Sequence, residues 1–169
     1  MAERAAALKC HIIAANRSPV ANPAPVETIF PLAELDRMLP LCDTVLISCA
    51  LTPETKGLID ARRLALMKPG ALLINVARAA IVDEDALYAS LKDGNLGGAA
   101  LDVWWQYPTP AEPDRRPSRC PFHELPNVLI TPHCSSTTEA TAERRWSAVA
   151  ANLDRFAHGE PLENVVLQT

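Results

Sequence analysis

The segment that most constrains the fold of this chain is residues 69–94. Pro69-Gly70 punctuates the chain, and Ala71-Leu-Leu-Ile-Asn75 is an apolar run of strand length. Asp83 can cap a helix through Leu87 and Leu91 that stops at Asp93-Gly94. A strand, a charged loop and a capped helix in that order are expected of a parallel β-α-β architecture. Arg78 falls in the loop, at the carboxyl end of the strand. Ligands of open α/β sheets bind on that side, and a guanidinium fork suits a planar carboxylate better than a lysine point charge does.

The same grammar repeats along the chain. Residues 2–8 are helix-prone and feed a strand over 10–15 that ends at Asn16-Arg17-Ser18. Residues 20–31 carry Pro23, Pro25 and Pro31 and are expected as loop, with a short helix through Leu32, Leu35 and Leu39 after them. Strands are expected over 44–49, 97–103 and 128–130, and Asp60 can cap a helix through Leu64 and Met67. Ser136-Thr-Thr-Glu139 has capping-box spacing and would open a long helix through Trp146, Val149, Leu153 and Phe156 to His158-Gly159. Strands alternating with helices in this way imply an α/β fold, a doubly wound, mainly parallel sheet covered on both faces.

Composition narrows the function. At 169 residues and 49% hydrophobic the chain is long enough for one core. A net charge of -4 supplies no basic footprint, so nucleic acid is not an expected partner. Five cysteines, with no C-x-x-C pair, suggest neither a disulfide framework nor a metal site, and a cytoplasmic, reduced setting is expected. No apolar run approaches the roughly 20 residues of a membrane span.

The chemistry-bearing residues fall at the carboxyl ends of successive strands: Asn16, Arg17 and Ser18 after the first, residues 50–55 after the second, Arg78 after the third, Asp102 at the end of the fourth and His133 after the fifth. Trp104 and Trp105 either line a pocket or pack a loop. Thr52-Pro-Glu-Thr55, Ile74-Asn-Val-Ala-Arg78, Ala99-Ala-Leu-Asp-Val103, Asn127-Val-Leu-Ile-Thr-Pro-His133 and Asn164-Val-Val166 resemble the successive motifs of the D-isomer-specific 2-hydroxyacid dehydrogenases, the family of phosphoglycerate dehydrogenase and glyoxylate/hydroxypyruvate reductase.

The resemblance implies a Rossmann-like nucleotide-binding domain inserted into a discontinuous substrate domain. It implies that Arg78 grips the carboxylate of a small 2-keto or 2-hydroxy acid and polarises its carbonyl, and that His133 delivers or removes the hydroxyl proton. It implies cofactor contacts from Asn16, Arg17, Ser18, Cys49, Ala50, Leu51, Thr55, Val76, Ala77, Arg78, Asp102, His133 and Ser135. Hydride addition to a 2-keto carbon leaves an alkoxide, so a cation beside it and an acid within reach lower the barrier. A homodimer is expected, and no membrane partner.

The sequence departs from the family pattern in three places. The G-x-G-x-x-G loop and its strand, expected ahead of Ala2, are not in the sequence. Residues 1–135 are therefore expected as a partial NAD(P)-binding domain, and 136–169 as a helix and tail returning toward a substrate domain. The family glutamate that partners the histidine is Tyr107, a neutral group; related formate dehydrogenases carry glutamine there, and Glu112 and Glu124 are nearby alternatives. At the ribose-binding acidic position stands Asn16, followed by Arg17 and Ser18, which favours NADP over NAD by removing a carboxylate and offering the 2′-phosphate a partner. The alternative to an enzyme is a non-catalytic nucleotide-binding or dimerising remnant, like the corepressors that share the fold.

Overall fold

The structure, a computed structural model, describes residues 1–18, 21 and 24–165. Pro23 and Val166, named in the sequence reading, lie outside the described residues. The elements run α1 (Ala2–Ala7), β1 (Ile13–Asn16), β2 (Thr28–Pro31), α2 (Leu35–Met38), β3 (Thr44–Ile47), α3 (Ala61–Leu66), β4 (Leu72–Asn75), α4 (Glu84–Lys92), β5 (Gly98–Leu101), β6 (Val128–Ile130) and α5 (Glu139–His158). They form two compact units, Met1–His133 and Cys134–Thr169.

Within the first unit the strands make two parallel sheets, β1-β2 and a four-stranded β3-β4-β5-β6. The fold is α/β and Rossmann-like, but its strands do not form one continuous ladder. β2 corrects the reading of residues 20–31 as loop alone. Ile29 and Phe30 are half-buried beside β1, and Pro31 closes the strand where its missing N–H does no harm. β1 begins at Ile13, three residues later than expected, because the chain first turns at Lys9 (φ 62°). The helix through Leu32, Leu35 and Leu39 is broken into 3-10, α and 3-10 turns, with Pro40 in the last.

The local signals elsewhere act as expected. The Asp60 side chain accepts from the Arg63 N–H and that of Asp83 from the Ala86 N–H, each starting its helix. Gly94 follows α4 in the left-handed region (φ 74°) and stops it. In the second unit the cap is Thr138, whose hydroxyl accepts from the Thr141 N–H, and not Ser136, which precedes the helix in a turn. The core gathers Leu39, Leu73, Ile81, Leu87, Leu96, Leu101 and Phe122, all nearly inaccessible.

Between β5 and β6 the chain makes a long loop that is clasped to α4. Glu84, buried at the start of that helix, accepts from the Ser118 hydroxyl (2.7 Å), the Arg119 N–H (2.6 Å) and the Arg119 Nε (3.1 Å). Burial opposes ionisation of this carboxyl, but the Ser118 hydroxyl and the Arg119 amide and guanidinium outweigh it and hold the pKa below its ordinary value. Trp105 stacks on Phe122 and donates to the Val82 carbonyl, while Trp104 donates to the Thr131 carbonyl. Trp105 therefore packs the loop, while Trp104 both braces it and lines a cleft.

Candidate active site

Because β3, β4, β5 and β6 are parallel and adjacent, the loops that follow them lie side by side along one rim. Each loop is set by a polar side chain that turns inward. After β3, the Thr55 hydroxyl donates to the Ala50 carbonyl (2.7 Å) and accepts from the Thr52 N–H (2.8 Å), which fixes the segment holding Cys49, Ala50 and Leu51, all three exposed. After β4, Asn75, only 1% exposed, spans the next turn: its Oδ1 accepts from the Ala77 N–H, and its Nδ2 donates to the Arg78 carbonyl. Arg78 is thereby held in extended backbone (φ -148°, ψ 136°) with its side chain exposed and one guanidinium N–H on the Ala77 carbonyl. Val76 and Ala77 are half-buried beneath it.

After β5, Asp102 is buried and accepts from the Thr131 hydroxyl at 2.6 Å, which ties the ends of β5 and β6 together. Beyond Thr131, His133 takes a positive φ of 58°. A non-glycine residue is held in that region only when its surroundings require it, and such positions concentrate at functional sites. Its Nδ1 lies 2.9 Å from the Tyr107 hydroxyl, with the two rings 5.6 Å apart. Tyr107 also accepts from the Trp104 N–H at 3.1 Å. A cleft of about 410 Å³ opens beside the pair, lined by Trp104, Tyr107, Ile130, Thr131 and Pro132 among others.

The structure thus joins Tyr107 to His133 and Asp102 to Thr131, and sets Arg78 on the strand between those of Thr55 and Asp102. Arg78 and His133 are not bonded to one another. Glu112 and Glu124, the other candidate partners of the histidine, are engaged by Arg115 and His123 instead. Asn16, Arg17 and Ser18 close β1 in the other sheet, exposed, with Asn16 Nδ2 donating to the Ser18 carbonyl. The Glu54 carboxyl is held below its ordinary pKa chiefly by the Thr52 hydroxyl, and the charge of Arg17 adds a smaller pull in the same direction. Ser135 belongs to the second unit.

Sequence reasoning missed Asn75 and Thr131 as the residues that set their neighbours. A polar residue ending an otherwise apolar strand was the available signal for Asn75. Among the described residues no helix is long and apolar enough to cross a membrane, and no group of His, Cys, Asp and Glu is arranged to hold a metal ion.

Residues 1–135 match the family model for the NAD binding domain of D-isomer specific 2-hydroxyacid dehydrogenases. Over 138 residues the chain is 41% identical to a mitochondrial formate dehydrogenase of Solanum tuberosum, covering 80% of this chain and 34% of that protein. Over 133 residues it is 41% identical to glyoxylate/hydroxypyruvate reductase B of Pectobacterium carotovorum, covering 79% and 39%. The chain thus spans between a third and two fifths of the length of these relatives. A D-isomer specific 2-hydroxyacid dehydrogenase of Xanthobacter autotrophicus, solved with NADPH and MES, superposes with a TM-score of 0.76 at 35% identity, covering 98% of this chain and 64% of that one.

Proposed function

The chain belongs to the D-isomer specific 2-hydroxyacid dehydrogenases, and on that premise we propose that it supplies the hydride-transfer rim of such an enzyme, acting on a small 2-keto or 2-hydroxy acid. The observation that carries the reading is the parallel order β3-β4-β5-β6, which puts the loops of Thr55, Arg78, Asp102 and His133 on one edge. Arg78 binds the substrate carboxylate and draws charge from the keto oxygen. His133 delivers the proton that the alkoxide needs, a contribution of about 10²- to 10⁴-fold for a well-placed acid. Tyr107 holds the imidazole, and Asp102, buried and tied to Thr131, sets the spacing between the two loops.

The donor set fits a nicotinamide dinucleotide. Exposed hydroxyl, amide and guanidinium groups of Asn16, Arg17 and Ser18 suit a phosphorylated ribose, and Cys49, Ala50, Leu51, Thr55, Val76 and Ala77 would line its path toward Asp102 and His133. The chemistry such a group supplies when bound is the hydride. The absence of a carboxylate at Asn16 and the exposed guanidinium of Arg17 support NADP over NAD. Residues 136–169 are read as the return to a substrate domain: α5 carries Trp146, Val149, Leu153 and Phe156 at helical spacing, a stripe suited to covering another surface. We extend the proposal to a homodimer, which light scattering at micromolar concentration tests.

Titration of the purified chain with NADPH and with NADH, followed by tryptophan fluorescence, tests the cofactor reading. Saturable quenching with a Kd about tenfold lower for NADPH, the scale of one charge-assisted hydrogen bond, is expected. Equal affinities overturn the preference, and no binding by a folded chain overturns the cofactor site. Cofactor binding without turnover of any 2-keto acid would favour a binding module over an enzyme.

A further inference from the structure

The hydrogen bonds around Tyr107 bear on which nitrogen of His133 carries its proton. An amide N–H can only donate, so the phenol oxygen accepts from Trp104. With one acceptor direction filled by that contact, the phenol proton is available to its other protein neighbour, Nδ1 of His133 at 2.9 Å. An Nδ1 that accepts is bare, and a neutral imidazole then has its proton on Nε2. A carboxylate in the same place would impose the opposite arrangement, because an ionised carboxylate has lone pairs and no proton and would draw an N–H onto Nδ1. With Trp104 as the fixed donor, a chain from Trp104 N–H through Tyr107 O–H to Nδ1 keeps one direction throughout.

We propose that Tyr107 is a positioning residue that holds the neutral His133 as its Nε2–H tautomer and replaces the outgoing proton with its own. In reduction the Nε2–H bond breaks and an O–H bond forms on the substrate alkoxide. The electron pair left on the ring is met at Nδ1 by the Tyr107 proton, so the imidazole stays neutral throughout. The resulting phenolate faces the Trp104 N–H; the resting arrangement returns when Nε2 of the exposed His133 takes a proton from water and Nδ1 gives its own back to the phenolate. An alkoxide is a stronger base than a phenolate, so the proton runs toward the substrate. The catalytic part of this inference rests on His133 acting as the proton donor proposed above; the tautomer does not, and it can be read without substrate or cofactor.

The experiment is nitrogen NMR of the imidazole rings in the ¹⁵N-labelled chain at about pH 8.5, where an ordinary imidazole is neutral. His133 is assigned by the loss of its signals in His133→Asn. In the wild-type chain Nδ1 is expected bare and Nε2 protonated, with one tautomer in large excess. Tyr107→Phe, which keeps the ring and removes the hydroxyl, is expected to relax this to a mixture. Tyr107→Glu, whose carboxylate can only accept, is expected to reverse it and place the proton on Nδ1. The amide spectrum of each variant reports whether the fold persists. A wild-type ring protonated on Nδ1, which needs no variant to observe, overturns the proposal, as does a ring that keeps the same tautomer in folded Phe and Glu variants. Loss of cofactor binding with the expected tautomer intact would strike only at the proposed function.

Discussion

The long loop between β5 and β6 is held in opposite ways at its two ends. At Ser118-Arg119 it closes on a buried carboxylate through three hydrogen bonds, beside the stacked rings of Trp105 and Phe122. Toward Tyr107 the side chain is exposed, and one hydrogen bond joins it to His133, itself exposed beyond β6 on backbone of positive φ. The first end is anchorage, with polar groups satisfied inside the protein. The second is presentation, with polar groups left for a reacting partner. Binding side chains placed on loops need such a frame, because an exposed group is positioned only as well as the backbone beneath it. Arg78 obeys the same division: its guanidinium is exposed, while Asn75 below it is buried and doubly bonded.

The sharpest test of this division exchanges readouts between the two regions. Arg78→Ala removes an exposed side chain whose one hydrogen bond among the described residues is to the neighbouring Ala77 carbonyl. Reduction of a 2-keto acid is expected to fall by about 10²- to 10³-fold, the usual loss when one preorganised donor to a developing oxyanion is deleted. Stability, measured by urea unfolding, is expected to move by less than about 0.5 kcal/mol. Glu84→Ala inverts the pattern. It removes the buried carboxylate that accepts from the half-buried Ser118 hydroxyl and from Arg119, and is expected to lower stability by about 1 to 3 kcal/mol. Under conditions where that variant remains folded, its cofactor titration should match the wild type. Stability effects of equal size at the two positions would erase the distinction.

What could be read in advance follows the range of the interactions. Asp60 and Asp83 cap helices through a partner three residues away, and Gly94 acts on its own backbone, so these signals survive in any short window. Their spacing was enough to place Arg78, Asp102 and His133 at strand ends. β2 was not legible because a four-residue segment flanked by prolines becomes a strand only by pairing with β1. Nor was the division into two sheets, which depends on which edges meet. Tyr107 stood at a suggestive place, but its bond to a residue 26 positions away belongs to the folded chain alone. Asn75 and Thr131 were hidden for a related reason. A polar residue ending an apolar strand singles out Asn75, but the inward turn of either side chain is set only when the loop it braces closes over it.

The smallest expected effect concerns a third kind of contact, exposed yet tied, which lies between the two extremes. Asp36 on α2 accepts from Arg62 (2.6 Å) and Arg63 (2.8 Å) of α3, and these guanidinium groups bring its carboxyl down to about 2. A carboxyl whose pKa is lower in the folded chain than in the unfolded one stabilises the fold when ionised. That stabilisation is complete above the ordinary aspartate range and disappears as the pH falls toward 2. Glu84 follows the same sign, its pKa also being lowered, but its contribution resists salt because the carboxylate is buried. Asp36→Asn should therefore unfold more readily than the wild type at neutral pH, and the difference should close as the pH approaches 2. Added salt should shrink it at every pH, whereas the penalty of Glu84→Ala should persist in salt. Urea midpoints across pH and ionic strength measure both. An Asp36 penalty as salt-resistant as that of Glu84 would place the α2 to α3 tie with the anchored end of the loop.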